Sequence, residues 1–513
     1  MTKSTMTDTK AESNRPPREP QQDPLAADYI RNAQEIRINT DLVIIQRLKN
    51  LYPGKHVTIV PSPATCDIVG FGKSGEAIVT PDPNSNGTAE GPLEWHQYVA
   101  PPSRLDGSFG NISTKTLFGK YLVSWKGLEY IVFVIEGRDG ANSTFPVTNQ
   151  YIIGNSPKEV SPLVLAAGLF TSQLHEEIWV YDQGYWQKDA ALWRSIEKAE
   201  WKNVILDQKM KKSLIDDISR FYDNRSTYQR LGVPWKRGVI FHGPPGNGKT
   251  ISIKATMHML YKRKDEVPTL YVKTLANFRG PEAALNDIFS KARALAPCYL
   301  VFEDLDSLVT DSVRSFFLNQ VDGIAANDGI LMVGSTNHLE RLDPGISKRP
   351  SRFDRKYLFP NPDLEQRIQY AEFWRHKVLQ NQELEDSASL EAPGGDMDIE
   401  FPSELCPAFA KITESFSFAY MQEAFLASLL ELVVGSDDDS ASEEDKPDDE
   451  DELDKYPLWV ALKKQVKILR EQIGKGDDAK RSSVLPPTKP MMIGHAMATP
   501  RYSMAATRVN PSN

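Results

Sequence analysis

Eight consecutive residues, Gly243, Pro244, Pro245, Gly246, Asn247, Gly248, Lys249 and Thr250, fit the pattern GxxxxGK[ST]. Glycines let a backbone curl until several N–H groups point inward at phosphate oxygens. A helix that starts where the loop ends adds the positive end of its dipole. In such a loop the lysine reaches the β and γ phosphates of a nucleotide, and the hydroxyl of the last residue ligates magnesium. Those roles fall to Lys249 and Thr250. A plain glycine turn before a helix uses similar residues, but about 0.02 accidental matches are expected in a chain this long. The flanks also agree: Val239, Ile240 and Phe241 read as a short buried strand, and Ile251 to Leu260 as a helix without Gly or Pro.

A second chemical cluster follows the apolar run Tyr299 to Phe302, which ends in Glu303, Asp304, Leu305 and Asp306. A buried strand ending in acids is the other half of a nucleotide site: one acid holds magnesium through its water shell, the next orients and deprotonates the attacking water. By position, Glu303 takes the magnesium side and Asp304 the water side. Such sites usually carry Asp and then Glu. With the order reversed, the shorter Asp304 draws the water closer to the strand, and small displacements of a positioned water cost large factors in rate. Slow hydrolysis is therefore an expectation beside ordinary turnover. Asp306 reads as a cap for the next helix.

A third buried run, Ile330 to Val333, leads to Asn337, whose amide offers both a donor and an acceptor to a γ-phosphate and a water. Farther on, Arg349 and Arg352 stand three apart, with no acid before Asp354 to neutralise them. A planar, permanently charged donor left free in this way suits an arginine finger. Taken alone, the same segment would read as a surface basic patch.

These residues need elements to position them. From Val204 the chain alternates short apolar strands with amphipathic helices, the pattern of a parallel sheet with crossover helices. Before it, residues 25–190 read as an N-terminal domain of mixed β and α character. Within that span a helix is expected over about 28–51, a hairpin from Leu117–Trp125 and Leu128–Ile135 around Lys126 and Gly127, and a long loop over Pro81–Pro102. Residues 1–24 and the tail from Gly474 read as disordered. Residues 456–473 suit a helix with Leu458, Leu462, Val466 and Leu469 on one face.

Composition narrows the classes. The net charge is −9, yet the acidic run 436–455 alone carries 12 acids and two lysines, so the rest of the chain is close to neutral. That argues against a nucleic-acid motor, which needs a basic surface. The run itself reads as a solvated linker. Three cysteines, Cys66, Cys298 and Cys406, form no CxxC pair, which points to a reducing compartment and against a zinc site. The polar N-terminus lacks a secretory or mitochondrial leader pattern, and no apolar run approaches the ~20 residues of a membrane span. An intracellular location is expected, in the cytoplasm or the nucleus.

Together these blocks resemble the AAA ATPase family over roughly residues 200 to 435. The resemblance implies an α/β P-loop core with a parallel sheet over 200–360 and a small helical lid over 361–435; the acidic linker 436–455 lies beyond it. It implies ATP and Mg2+ as ligands and a homo-hexameric ring that remodels a protein. Asn337 matches the family's first sensor, and Arg349 and Arg352 match arginine fingers that reach the neighbouring subunit's ATP. Ala419, in the stretch Phe418, Ala419, Tyr420, matches the lid contact with the nucleotide. Phe278 falls where the family has an aromatic pore loop that grips a threaded substrate, and a packed loop residue fits that position equally. The Glu-Asp order and the lead-in from Tyr228 to Gly238 are similar to the branch that contains the mitochondrial Rieske-protein translocase. An ATP-gated scaffold with little hydrolysis is the competing reading.

Overall fold

The computed structural model describes residues 39–62, 65–83, 91–101, 109–137, 147–322, 326–349, 352–387, 399–434 and 452–482. The expected disorder of 1–24, most of the acidic run and the end of the tail lie outside the described residues. The chain divides into two compact units, Met1–His175 and Glu176–Asn513.

The first unit is an antiparallel sheet with helices. Its strands are β1 (His56–Ser62), β2 (Ile78–Pro81), β3 (Leu93–Val99), β4 (Asn111–Trp125), β5 (Leu128–Gly137) and β6 (Val147–Gly154). Their order is β1-β6-β5-β4-β2, with β3 also paired to β4. The expected hairpin forms: Trp125 pairs with Leu128 across Lys126 and Gly127, which take φ of 50° and 77°. That left-handed pair matches the twist of the flanking strands. The expected loop over Pro81–Pro102 contains β3, whose residues are all exposed, so no burial period betrays it. The expected helix over 28–51 is described as Thr40–Leu51, capped by Asn39, whose side chain accepts from the Leu42 N–H.

The second unit is built on a seven-stranded sheet of β7 (Ile178–Asp182), β8 (Tyr185–Asp189), β9 (Arg237–His242), β10 (Thr269–Val272), β11 (Cys298–Phe302), β12 (Ile330–Thr336) and β13 (Arg355–Leu358), in the order β13-β9-β12-β11-β10-β7-β8. All neighbours are parallel except the β7–β8 hairpin. The inner strands β9, β10, β11 and β12 are apolar on both faces, as a doubly covered parallel sheet requires. Ile240, Leu300, Phe302 and Met332 face a layer with Leu285, Phe289 and Phe317. Val239, Phe241, Val301 and Val333 face another with Leu214, Phe221, Ile253 and Leu260.

Two boundaries differ from expectation. The stretch 178–189, assigned to the N-terminal domain, extends this sheet, because β7 pairs with β10 from Trp179 to Tyr181 and buries Val180 and Tyr181. Aromatic strands with a hairpin turn carry no local mark of which sheet they join. The helical cluster expected as a lid over 361–435 also takes in residues past 435. The helix Pro457–Ser482 buries Leu458, Trp459, Leu462, Val466 and Leu469 in one cluster with Trp374, Phe409 and Phe425 of the helices Leu364–Ser387, Leu405–Ile412 and Phe418–Val434. Its apolar face was legible, and that face packs on the lid.

Candidate functional site

The three chemical blocks meet at the carboxyl ends of the parallel strands, where open α/β sheets bind ligands. Strand β12 lies between β9, which leads to the phosphate loop, and β11, which leads to the acids. One cavity of about 590 Å3 opens there. Pro245, Gly246, Gly248, Lys249, Thr250, Asp304, Ser335 and Asn337 are among the residues that line it.

Each of these side chains has a local cause. Gly246 and Gly248 take φ of 77° and 90°, which lets the loop curl before the helix Lys249–Tyr261 begins. Lys249 is buried, and its Nζ donates to the carbonyl oxygens of Gly243 and Pro244, both at 2.8 Å. Burial pulls its ammonium below the ordinary value, with Asp304 opposing that pull. Asn247 is buried behind the loop and donates through Nδ2 to Asn361 Oδ1 at 2.8 Å, while its Oδ1 has no hydrogen-bond partner. Gly243, Pro244 and Asn247 therefore shape the loop from behind the cavity wall.

The acidic strand end turns sharply. Asp304 has φ 49° and ψ 54°, a left-handed conformation uncommon for a residue with a side chain. Its N–H donates to Ser335 Oγ at 3.3 Å, which ties it to the end of β12. Asp306 does not cap the following helix. It sits within Leu305–Leu308 and accepts from Thr336 Oγ1 at 2.7 Å. Glu303 does not appear among the residues lining the cavity. Its Oε2 accepts from the Tyr271 hydroxyl at 2.6 Å, and its Oε1 is buried without a partner.

The rest of the cavity's lining was not foreseen in the sequence. Asn203, Val204, Ile205, Tyr370, Phe373, Phe418 and Gln422 belong to it, so it offers rings and aliphatic groups with two amides. Ala419 closes the lid side: its N–H donates to the Gly246 carbonyl at 3.2 Å. The Tyr370 and Phe373 pair, one helical turn apart, was the available signal for this aromatic wall.

Three expected residues stand apart from the cavity. Phe278 is 79% exposed, with Arg279 placed 5.7 Å over its ring. Asn277 beside it donates to the Tyr181 hydroxyl at 3.0 Å. The arginine pair splits. Arg352 is buried and not free, because Nε and Nη2 donate to the two carboxylate oxygens of Asp322 at 2.8 and 2.6 Å, and Nη1 donates to the Gly345 carbonyl at 2.6 Å. The neutralising acid lies upstream, on the helix Asp311–Asp322, where a search of the local segment does not look. Arg349 keeps 59% of its side chain exposed, 3.6 Å from the same Asp322.

The orphaned carboxylate oxygen of Glu303 and the exposed Thr250 hydroxyl fit a hydrated cation that arrives with phosphates. Among the described residues no cluster of three or more His, Cys, Asp or Glu is arranged to hold a metal alone. No described helix is long and apolar enough to cross a membrane. Residues 239–361 match the family model described as ATPase family associated with various cellular activities (AAA). The match runs from the phosphate-loop strand to Asn361 and takes in the loop, the acids, Asn337 and both arginines, so the chain carries an AAA-family ATPase domain.

Proposed function

We propose that the protein binds Mg2+-ATP in this cavity, hydrolyses it, and works as a homo-hexameric ring that remodels a protein partner. One observation carries the reading: a single cavity is lined both by Lys249, Thr250, Asp304 and Asn337 and by aromatic and aliphatic side chains. A nucleotide has that same combination of charge and ring. Its phosphates would replace the carbonyl oxygens that now hold Lys249, and its base would lie against Ile205, Tyr370 and Phe418. Magnesium, held through Thr250 and Glu303, would offset phosphate charge. Asn337 would orient the attacking water, and a carboxylate oxygen of Asp304 would take its proton.

The ring reading draws on the exposed Arg349, which stands outside its own subunit's cavity and is available to a neighbour. Exposed Phe278 supports a role in gripping a substrate. The reversed acids and the Tyr228–Gly238 lead-in support a place in the branch similar to the Rieske-protein translocase. The short carboxylate of Asp304, on a left-handed residue, favours the second reading of a slow, ATP-gated scaffold.

Steady-state ATP hydrolysis over a range of protein concentrations separates the two, with Asp304→Asn as the control. Specific activity that rises with concentration, and falls at least ~100-fold in Asp304→Asn, fits the ring ATPase. Tight ATP binding with turnover no faster than in Asp304→Asn leaves the scaffold.

A further inference from the structure

Hydroxyl groups from the flanking strands hold the acidic strand end. Thr336 and Ser335 come from β12, on the phosphate-loop side. Tyr271 comes from β10, on the opposite side, and its role is of a different kind. In the parallel register Tyr271 pairs with Val301. Glu303 is two residues beyond Val301, so its side chain leaves the sheet on the same face, the diagonal position that long side chains reach. That face is the one covered by the helix Lys249–Tyr261, through Ile253, Met257 and Leu260. Thr250 lies in the first turn of that helix.

Glu303 is one methylene longer than an aspartate, which extends its carboxylate toward the Tyr271 phenol; the two meet at 2.6 Å. Glu303 Oε1 is left buried with no partner. A carboxylate oxygen in that state costs free energy until something donates to it. The pair is thus half satisfied by the protein, and its unpaired oxygen belongs to the residue next to Asp304, which lines the cavity.

We propose that Tyr271 is a positioning residue for the metal side of the site: it holds Oε2 of Glu303 so that Oε1 is presented to a water of the Mg2+ that accompanies the nucleotide. This inference rests on the nucleotide-site reading above. It also gives the reversed acids a physical reason, since the longer acid stands where a tyrosine can steady it.

The test is Tyr271→Phe, which removes one oxygen and keeps the ring. Mn2+ serves as the probe, its free concentration read by electron paramagnetic resonance in the presence of ADP. Binding of a fluorescent ADP in EDTA gives the metal-free comparison. Loss of an outer partner of a metal-side carboxylate costs about 10-fold or more in metal affinity. The expected result is that loss in Mn2+ affinity, with metal-free nucleotide affinity unchanged. In a Glu303→Asp background, Tyr271→Phe is expected to change Mn2+ affinity by less than about twofold, because the reach is already broken.

Mn2+ affinity in Tyr271→Phe within about twofold of wild type overturns the proposal. So does an equal loss of nucleotide affinity with and without metal, which marks Tyr271 as packing only. Wild-type protein that takes up no Mn2+ beyond that bound by ADP in solution overturns the nucleotide-site reading and this one with it.

Discussion

Replacing Arg352 by alanine separates two roles that the sequence had merged. The side chain makes three charge-assisted hydrogen bonds, two to Asp322 and one to the Gly345 carbonyl. Its removal leaves the Asp322 carboxylate without its bidentate partner. Breaking a fully buried pair this way costs about 3–5 kcal/mol. Arg352 is 6% exposed, but the Asp322 side chain is 35% exposed, so water recovers part of the loss. We place the cost at about 2–3 kcal/mol. For a unit of this size, Glu176–Asn513, that lowers the unfolding transition by roughly 3–4 °C. Arg349→Ala removes only an exposed contact, and its cost stays within about 0.5 kcal/mol.

Thermal unfolding and ATP hydrolysis, measured on both variants and on Asp322→Asn, read the difference. Arg352→Ala and Asp322→Asn are expected to unfold early and to be non-additive when combined, since they break the same pair. Arg349→Ala is expected to unfold with the wild type, to bind ADP normally and to lose hydrolysis. Mixing Arg349→Ala with Lys249→Ala then restores part of the activity, because one supplies a working loop and the other a working arginine. Arg352→Ala that unfolds at the wild-type temperature and yet lacks activity refutes the clamp. It would return Arg352 to a role in the neighbour's site.

Two further outcomes follow from the loop. Lys249 has an ammonium pulled below the ordinary 10.5 by burial. Between its folded value and 10.5 the unliganded fold holds fewer protons than the unfolded chain, so stability rises with pH in that window. Phosphate binding needs the charged form, so ATP affinity falls over the same window; calorimetric titration that shows flat affinity from about pH 7 to about pH 10 contradicts this. Gly246→Ala strains a residue at φ 77° and brings a Cβ within 2.5 Å of Ala419 Cβ. The expected result is nucleotide affinity reduced at least ~10-fold, by about 1–2 kcal/mol of strain and a displaced lid; unchanged binding by calorimetry contradicts it.

What could be read from the sequence was what is local in it. The phosphate loop, its strand and its helix lie within about twenty-five residues, and the spacing itself is the mechanism. The buried strands before Glu303 and Asn337 were legible because parallel strands covered on both faces are continuous apolar runs. What was missed is long-range. Asp322 neutralises Arg352 from 30 residues upstream. Tyr271 reaches Glu303 from a neighbouring strand, 32 residues away. Strands β7 and β8 precede the phosphate loop by three helices and a strand, and only pairing with β10 assigns them. The aromatic wall combines Ile205, Tyr370 and Phe418, which no window of sequence brings together.

The lid shows the same limit with a consequence for the site. Its contact with the phosphate loop is small: the Ala419 N–H on the Gly246 carbonyl, and Asn361, which accepts from Asn247 and donates through Nδ2 to the Ser415 carbonyl at 3.1 Å. Two such contacts supply on the order of 1 kcal/mol each, too little to hold a domain in place by themselves. The segments that carry Ser415 and Ala419 are held instead by the apolar cluster they share. The helix Pro457–Ser482 closes that cluster, with Leu458, Trp459 and Leu462 almost fully buried, and it pins the preceding turn through Arg470, which donates to the Ile412 carbonyl at 2.7 Å. Lys464 and Gln465 further tie it to Glu431 on the helix Phe418–Val434. The helix that seats Ala419 at the phosphate loop therefore packs on residues that follow the acidic run, and a unit cut at residue 435 would leave that apolar cluster uncovered.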